Sequence, residues 1–161
     1  MDEYQALVDN ALEFVTELFP WELEEEIKTK SNIIILDIRE QSEFDLMHIK
    51  NSIHVSRGLL ESACVWNYNE TIPILANSRN QNIVVVCRSG KRSALAAMTL
   101  KDMNYVNVRS LKLGIKGWND NDLEMVNING EIVDIEEADE LLSIMVPNHK
   151  LEPKLSTKNK Q

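Results

Sequence analysis

The run Ile83-Val84-Val85-Val86-Cys87 constrains this chain more than any other stretch, because it has no polar face. Five apolar residues in succession predict a strand covered on both sides, the place a parallel sheet gives its central strands. The loop Arg88-Ser89-Gly90 follows. Ser93 to Met103 then sets Ala94, Leu95, Ala97, Met98 and Leu100 at helical spacing. Strand, tight loop and helix bring loop amides and a helix N-terminus to one point. The residue at that point is Cys87.

A helix N-terminus and adjacent cations favour the thiolate of a cysteine, which is its nucleophilic form. Arg88, Lys91 and Arg92 supply three such cations, in a 161-residue chain whose net charge is −9. The same amides and cations would hold an oxyanion beside the sulfur. The plainer alternative is an inert cysteine closing a core strand, with basic residues turned to water. The composition of the loop favours the reactive thiol.

The length suits one domain that buries roughly 68–70% of the unfolded chain's surface. At 43% apolar and 27% charged, the composition is that of a soluble globular protein. No apolar run approaches the ~20 residues of a membrane span. Met1-Asp2-Glu3-Tyr4 lacks the basic start and apolar core of a signal peptide. Cys64 and Cys87 are too few for a disulfide framework, and no Cys/His cluster has zinc spacing. These features predict a cytoplasmic protein without a metal. The acidic balance argues against nucleic acid or an anionic membrane as the main partner.

Residues 2–18 carry Leu7, Val8, Leu12, Val15 and Leu18 among acids and predict an amphipathic helix, so that 1–19 forms an N-terminal segment. Pro20 opens a second helix with Leu23 and Ile27 inward. Lys28 to Asn32 is a polar turn. Ile33 to Ile38 and Ile53 to Val55 read as strands, with a short helical segment between them around Ser42 and Phe44. Arg57 precedes a helix containing Leu59, Leu60, Ala63 and Val65. Asn107 to Leu111 is a further strand, and Gly114-Ile115-Lys116-Gly117-Trp118 turns into a short helix. Alternating strands and helices predict an α/β fold with a mostly parallel sheet and helices on both faces. Ligands of such sheets sit beyond the carboxyl ends of the strands, the edge that carries Asp37, Arg39, Arg57 and the Cys87 loop.

Five motifs in register resemble a single-domain rhodanese, a thiosulfate sulfurtransferase: Leu36-Asp37-Ile38-Arg39, Glu43-Phe44, His48-Ile49, Val86 to Ser93, and Leu113 to Trp118. The resemblance covers about residues 20–125, and Arg57-Gly58-Leu59-Leu60-Glu61 is similar to a segment of one bacterial-type branch. It implies a three-layer α/β/α fold around a five-stranded sheet. It also implies transfer of a sulfane sulfur through a persulfide on Cys87, with no cofactor. The donor would be a small anion such as thiosulfate or polysulfide, and the acceptor a thiol, cyanide or a thioredoxin-like protein. On this scheme Arg88 and Lys91 hold the anionic donor, and the amides around Ser89 and Gly90 cradle the outer sulfur. Arg92 and Ser93 begin the helix and close the loop.

Phosphatases with a catalytic cysteine, and arsenate reductases on the same fold, place five residues between the cysteine and an arginine. Here four residues separate Cys87 from Arg92, and the position that five intervening residues would give the arginine is Ser93, so the loop is one residue short. A non-catalytic interaction module is the other rival. Asp37 and Arg39 either orient the loop by hydrogen bonds or pair with each other or with Glu43. Arg57 either lines the anion pocket or stands as a surface arginine. His48 reads as a structural histidine below the pocket. Trp21, Trp118 and Cys64 read as core residues.

Past residue 125 the resemblance stops. Alternating apolar residues around Asn129-Gly130 predict a hairpin. Ile135 to Val146 predicts an acidic amphipathic helix with Ala138, Leu141, Leu142 and Met145 inward, ended by Pro147, so that 126–147 forms an extension. Residues 148–161, with Lys150, Lys154, Lys158 and Lys160, read as a disordered polar tail.

Overall fold

The computed structural model describes residues 2–29 and 32–153. Five parallel strands make one sheet: β1 (Thr16–Leu18), β2 (Ile33–Asp37), β3 (Ile53–His54), β4 (Asn82–Val86) and β5 (Val108–Leu111). Their order is β1-β5-β4-β2-β3, so β4 lies at the centre and the Cys87 loop leaves the middle of the sheet.

The unbroken apolar run of β4 has a direct structural reason. Its alternate side chains enter two separate cores. Ile83, Val85 and Cys87 pack on one face with Leu36, Ile38, Leu60, Leu75, Ala97 and Leu100. Val84 and Val86 pack on the other with Leu18, Leu23, Leu111, Ile115 and Trp118. Val84, Val85 and Val86 are all fully buried. Each contributes about 1.5–3 kcal/mol relative to an exposed side chain.

The helices that cover these faces are α1 (Glu3–Leu12), α2 (Pro20–Thr29), α3 (Gln41–Leu46), α4 (Leu60–Ala63), α5 (Pro73–Ala76), α6 (Lys91–Asp102) and α7 (Gly114–Asp120). The result is the three-layer α/β arrangement that the sequence predicts. Among the described residues, no helix is long and apolar enough to cross a membrane.

Several local expectations are corrected. The N-terminal helix stops at Leu12, and Thr16–Leu18 turns extended to pair with Arg109–Leu111 of β5. The fifth strand therefore comes from the segment that was expected to be helical to residue 18. Pairing along β5 supplies backbone partners that a longer helix would forgo. Ile27 and Trp21 are exposed rather than inward. Trp21 instead stacks on Phe19, with ring centroids 4.4 Å apart. Trp118 and Cys64 are buried, as expected.

The C-terminal extension forms a hairpin, β6 (Met125–Val126) and β7 (Ile132–Val133), followed by α8 (Ile135–Leu142). Val126 exchanges backbone hydrogen bonds with His48, which ties the hairpin to the core. Ala138 and Leu142 are buried, whereas Leu141 is partly exposed and Met145 fully so, because the helix ends at Leu142 and not at Val146. Asn148–Lys150 makes one 3-10 turn. Lys154, Lys158 and Lys160, and the centre of the turn expected over 28–32, lie outside the described residues.

Candidate active site

The sulfur of Cys87 sits at the end of β4, at the point where the loop turns into α6. Only Arg88, Ser89 and Gly90 separate it from the first helical residue, Lys91. The Gly90 N–H donates to Sγ at 3.1 Å and the Ser93 N–H at 3.3 Å. The Ser93 hydroxyl lies 3.4 Å from Sγ and 2.7 Å from the Ser110 hydroxyl of β5. Cys87, Ser93 and Ser110 are each at most 1% exposed. Two amides and a hydroxyl thus surround the sulfur on its protein side, a set that suits an anionic sulfur.

Two glycines make this geometry possible. Gly90 has φ +94°, a left-handed conformation that aims its N–H back at the cysteine. Gly114, at φ +60°, begins α7 directly against the loop, where a Cβ would stand 2.4 Å from the Cys87 carbonyl oxygen. That close approach lets the Ile115 N–H donate to the Cys87 carbonyl at 2.9 Å and the Lys116 N–H to the Arg88 carbonyl at 3.0 Å. The first turn of α7 therefore takes up the loop's carbonyls, while amides of the loop and of α6 face the sulfur. The glycine-punctuated segment after β5 is a support for the cysteine loop.

The three cations of the loop each meet a partner from elsewhere in the chain. Arg92 forms a two-pronged pair with Glu43, both contacts at 2.9 Å. That hydrogen bond raises the pKa of Arg92 further and holds the Glu43 carboxyl below the usual carboxylate range. Arg92 also lies within electrostatic reach of Cys87. Arg88 turns to the C-terminal extension and donates to the Leu142 carbonyl at 2.5 Å. With Lys116, Asp120, Asp139 and Leu142 it lines a cavity of about 460 Å³ whose walls do not include Cys87. Lys91 places its Nζ 5.4 Å from the centroid of the Tyr4 ring. Ser89 is exposed in the turn between Cys87 and Gly90.

Asp37 and Arg39, buried to 1% and 2% exposure, pair with each other and not with Glu43. The Arg39 Nη2 reaches Asp37 at 2.8 Å and the Met47 carbonyl at 2.6 Å, which fastens the end of β2 to the segment after α3. His48 stacks on Phe44 at 3.8 Å, and its Nδ1–H donates to the Phe44 carbonyl at 2.8 Å. These three residues form the frame behind the site. Arg57 is placed elsewhere: it pairs with Glu61 at 2.6 Å and donates to Thr99 at 3.0 Å, near the far end of α6. The structure does not bring it to the sulfur.

Sequence reasoning did not find Ser110, Leu142 or Tyr4 as neighbours of the loop. Glu43 and Gly114 stood inside recognised motifs, but their partners did not follow from spacing.

A family profile described as the rhodanese-like domain matches residues 20–121. The chain belongs to the rhodanese-like domain family. It is 29% identical over 96 residues to YrkF of Bacillus subtilis, a candidate sulfur carrier protein, a match spanning 58% of this chain and 45% of that protein. It is 29% identical over 104 residues to the thiosulfate sulfurtransferase GlpE of Coxiella burnetii, spanning 65% of this chain and 84% of the relative. The solved structure of a protein of unknown function from Rhodopseudomonas palustris, described as a possible tyrosine phosphatase, superposes with a TM-score of 0.67 at 27% identity. That likeness covers 83% of this chain and 96% of the other.

Proposed function

We propose that the protein is a sulfurtransferase that moves a sulfane sulfur through a persulfide on Cys87. The Cys87 thiolate attacks the outer sulfur of thiosulfate, the S–S bond breaks, and sulfite leaves with the bonding pair. The outer sulfur, now anionic on Cys87, is then attacked by cyanide or a thiol, which carries it away and restores the thiolate. The sulfur travels on the cysteine itself, so the reaction as written calls on no cofactor. Polysulfide would serve as donor by the same displacement, and a thioredoxin-like protein could supply the accepting thiol.

The observation that carries this reading is the pair of amides, from Gly90 and Ser93, aimed at Sγ. They stabilise charge on the attacking sulfur without a general base. The likeness to GlpE and YrkF supports sulfur as the transferred group. Phosphoryl transfer is disfavoured by the short loop, with four residues between Cys87 and Arg92. It is disfavoured again by Arg92 itself, whose guanidinium is engaged on both prongs by Glu43.

Intact mass after incubation with thiosulfate tests the reading. The wild type is expected to gain roughly 32 Da, one sulfur atom, removable by reductant. Cys87→Ser is expected to gain nothing. A reduced wild-type thiol that takes no sulfur from thiosulfate or polysulfide overturns the reading, and turnover of an aryl phosphate in its place would establish the phosphatase alternative.

A further inference from the structure

Tyr4 lies outside the family-matched stretch, on the first turn of α1, yet the fold brings it to the cysteine loop. α1 packs along α6, the helix that starts at Lys91. The Asp2 side chain caps α1 by accepting the Gln5 N–H at 2.6 Å, which fixes the turn that carries Tyr4. At the other end of α1, Lys101 of α6 donates to the Phe14 carbonyl. Helix α1 is therefore tied to α6 just past its C-terminal end, and at its capped N-terminal end its tyrosine is held over Lys91, the residue next to the Gly90 amide donor.

We propose that Tyr4 is a substrate-positioning residue of the Cys87 site, its phenolic O–H donating a hydrogen bond to the anionic sulfur donor as that anion settles beside Lys91. The inference rests on the sulfur-transfer reading and extends it to a residue that no family motif contains.

Three observations converge on this role. Tyr4 is 44% exposed, which leaves part of the residue open to a solute, while its ring meets the Lys91 ammonium. Tyr4 is within electrostatic reach of both Cys87 and Arg92. Burial, and then the negative charge of Cys87, push its phenol above the ordinary value, so the group stays a neutral donor and adds no competing charge beside the sulfur. The other cations of the loop are turned elsewhere: Arg88 to Leu142 and Arg92 to Glu43. Lys91 and Tyr4 are thus a cation and a neutral donor placed side by side where an oxyanion such as the sulfonate end of thiosulfate approaches.

The test compares wild type, Tyr4→Phe and Tyr4→Ala in thiosulfate–cyanide turnover, with melting temperature measured alongside. Tyr4→Phe keeps the ring over Lys91 and removes only the O–H. It is expected to raise KM for thiosulfate about tenfold, the usual scale for one hydrogen bond to a charged group, with kcat within about twofold. The KM for cyanide and the melting temperature should not move. A Tyr4→Phe variant with the wild-type thiosulfate KM overturns the proposal, even where Tyr4→Ala is impaired, because the ring and not the hydroxyl would then be responsible. An equal rise in both KM values also overturns it. These outcomes are separable from failure of the sulfur-transfer reading, in which the wild type itself forms no Cys87 persulfide.

Discussion

The Cys87 loop presents two regions of opposite character. Around the sulfur, donors from Gly90 and Ser93 converge, backed by the Ser110 hydroxyl, and all of them are built into strand ends and a helix start. Around the rim, the conspicuous cations of the sequence are spoken for by the C-terminal extension, α1 and α3. The inner set is buried and fixed by backbone, whereas the outer set is half-exposed and reaches its partners at the ends of long side chains. Preorganised dipoles in a dry site act strongly on a charge, while exposed cations are screened by water and salt. A loop that looks cationic on paper therefore owes its chemistry chiefly to its amides.

The largest effect that tests this contrast comes from a residue that never touches the sulfur. Gly114→Ala puts a methyl group 2.4 Å from the Cys87 carbonyl oxygen at a backbone φ of +60°. Backbone cannot yield there as a flexible side chain would. The expected cost is about 3 kcal/mol, from overpacking and positive-φ strain together. For a chain of this size that corresponds to a fall in melting temperature of about 6–12 °C. Persulfide formation should be lost with it, since the carbonyls that α7 holds can no longer turn away from the sulfur. A stable, active Gly114→Ala protein would show that the inner set does not depend on α7.

Ser93→Ala is the intermediate case. It keeps the helical amide but removes the hydroxyl between Sγ and Ser110, leaving the Ser110 hydroxyl buried without its partner. The stability cost is about 1–3 kcal/mol by denaturant titration. Single-turnover persulfide formation should slow by up to about a hundredfold, the lower end of what removing one donor from such a site costs. A variant that loses stability but transfers sulfur at the wild-type rate would restrict the inner set to the two amides.

How much of this was legible beforehand depends on the range of each interaction. The run from Ile83 to Cys87 announces a central strand because it is short, unbroken and mostly β-branched, the pattern of a strand buried on both faces. The thiol at its end, the short loop and the following helix are consecutive in the chain, so their meeting follows from geometry alone. The three-residue strand Thr16–Leu18 was not legible. It sits at the sheet edge with only Leu18 buried, and its apolar spacing continues that of the preceding helix. The partners of the cations were not legible either. Arg92 meets Glu43 across 49 residues and Arg88 meets Leu142 across 54, and no periodicity encodes such contacts. Tyr4 and Lys91 are likewise a product of how α1 packs on α6. Arg57 shows the converse, since a place on the correct edge of the sheet did not bring its side chain to the site.

The smallest effect belongs to the rim, and it has a pH signature. Glu43 and Arg92 are each about one-third exposed, at 31% and 33%, so their pair contributes no more than about 1 kcal/mol. Its hydrogen bond with Arg92 lowers the Glu43 pKa, assisted by a bond from the Glu40 backbone and opposed by partial burial. A carboxyl whose folded pKa is depressed contributes stability that is present above its unfolded value, about pH 4.3, and lost as pH falls through the folded value. Glu43→Gln should therefore be slightly less stable than wild type at pH 7, and the difference should close on acidification below about pH 4. Persulfide formation at pH 7 should stay within about threefold of wild type, because the amides on Cys87 are untouched. A Glu43→Gln variant as slow as Ser93→Ala would move Arg92 from the rim into the inner set, and the distinction between backbone and cations would fail at that residue.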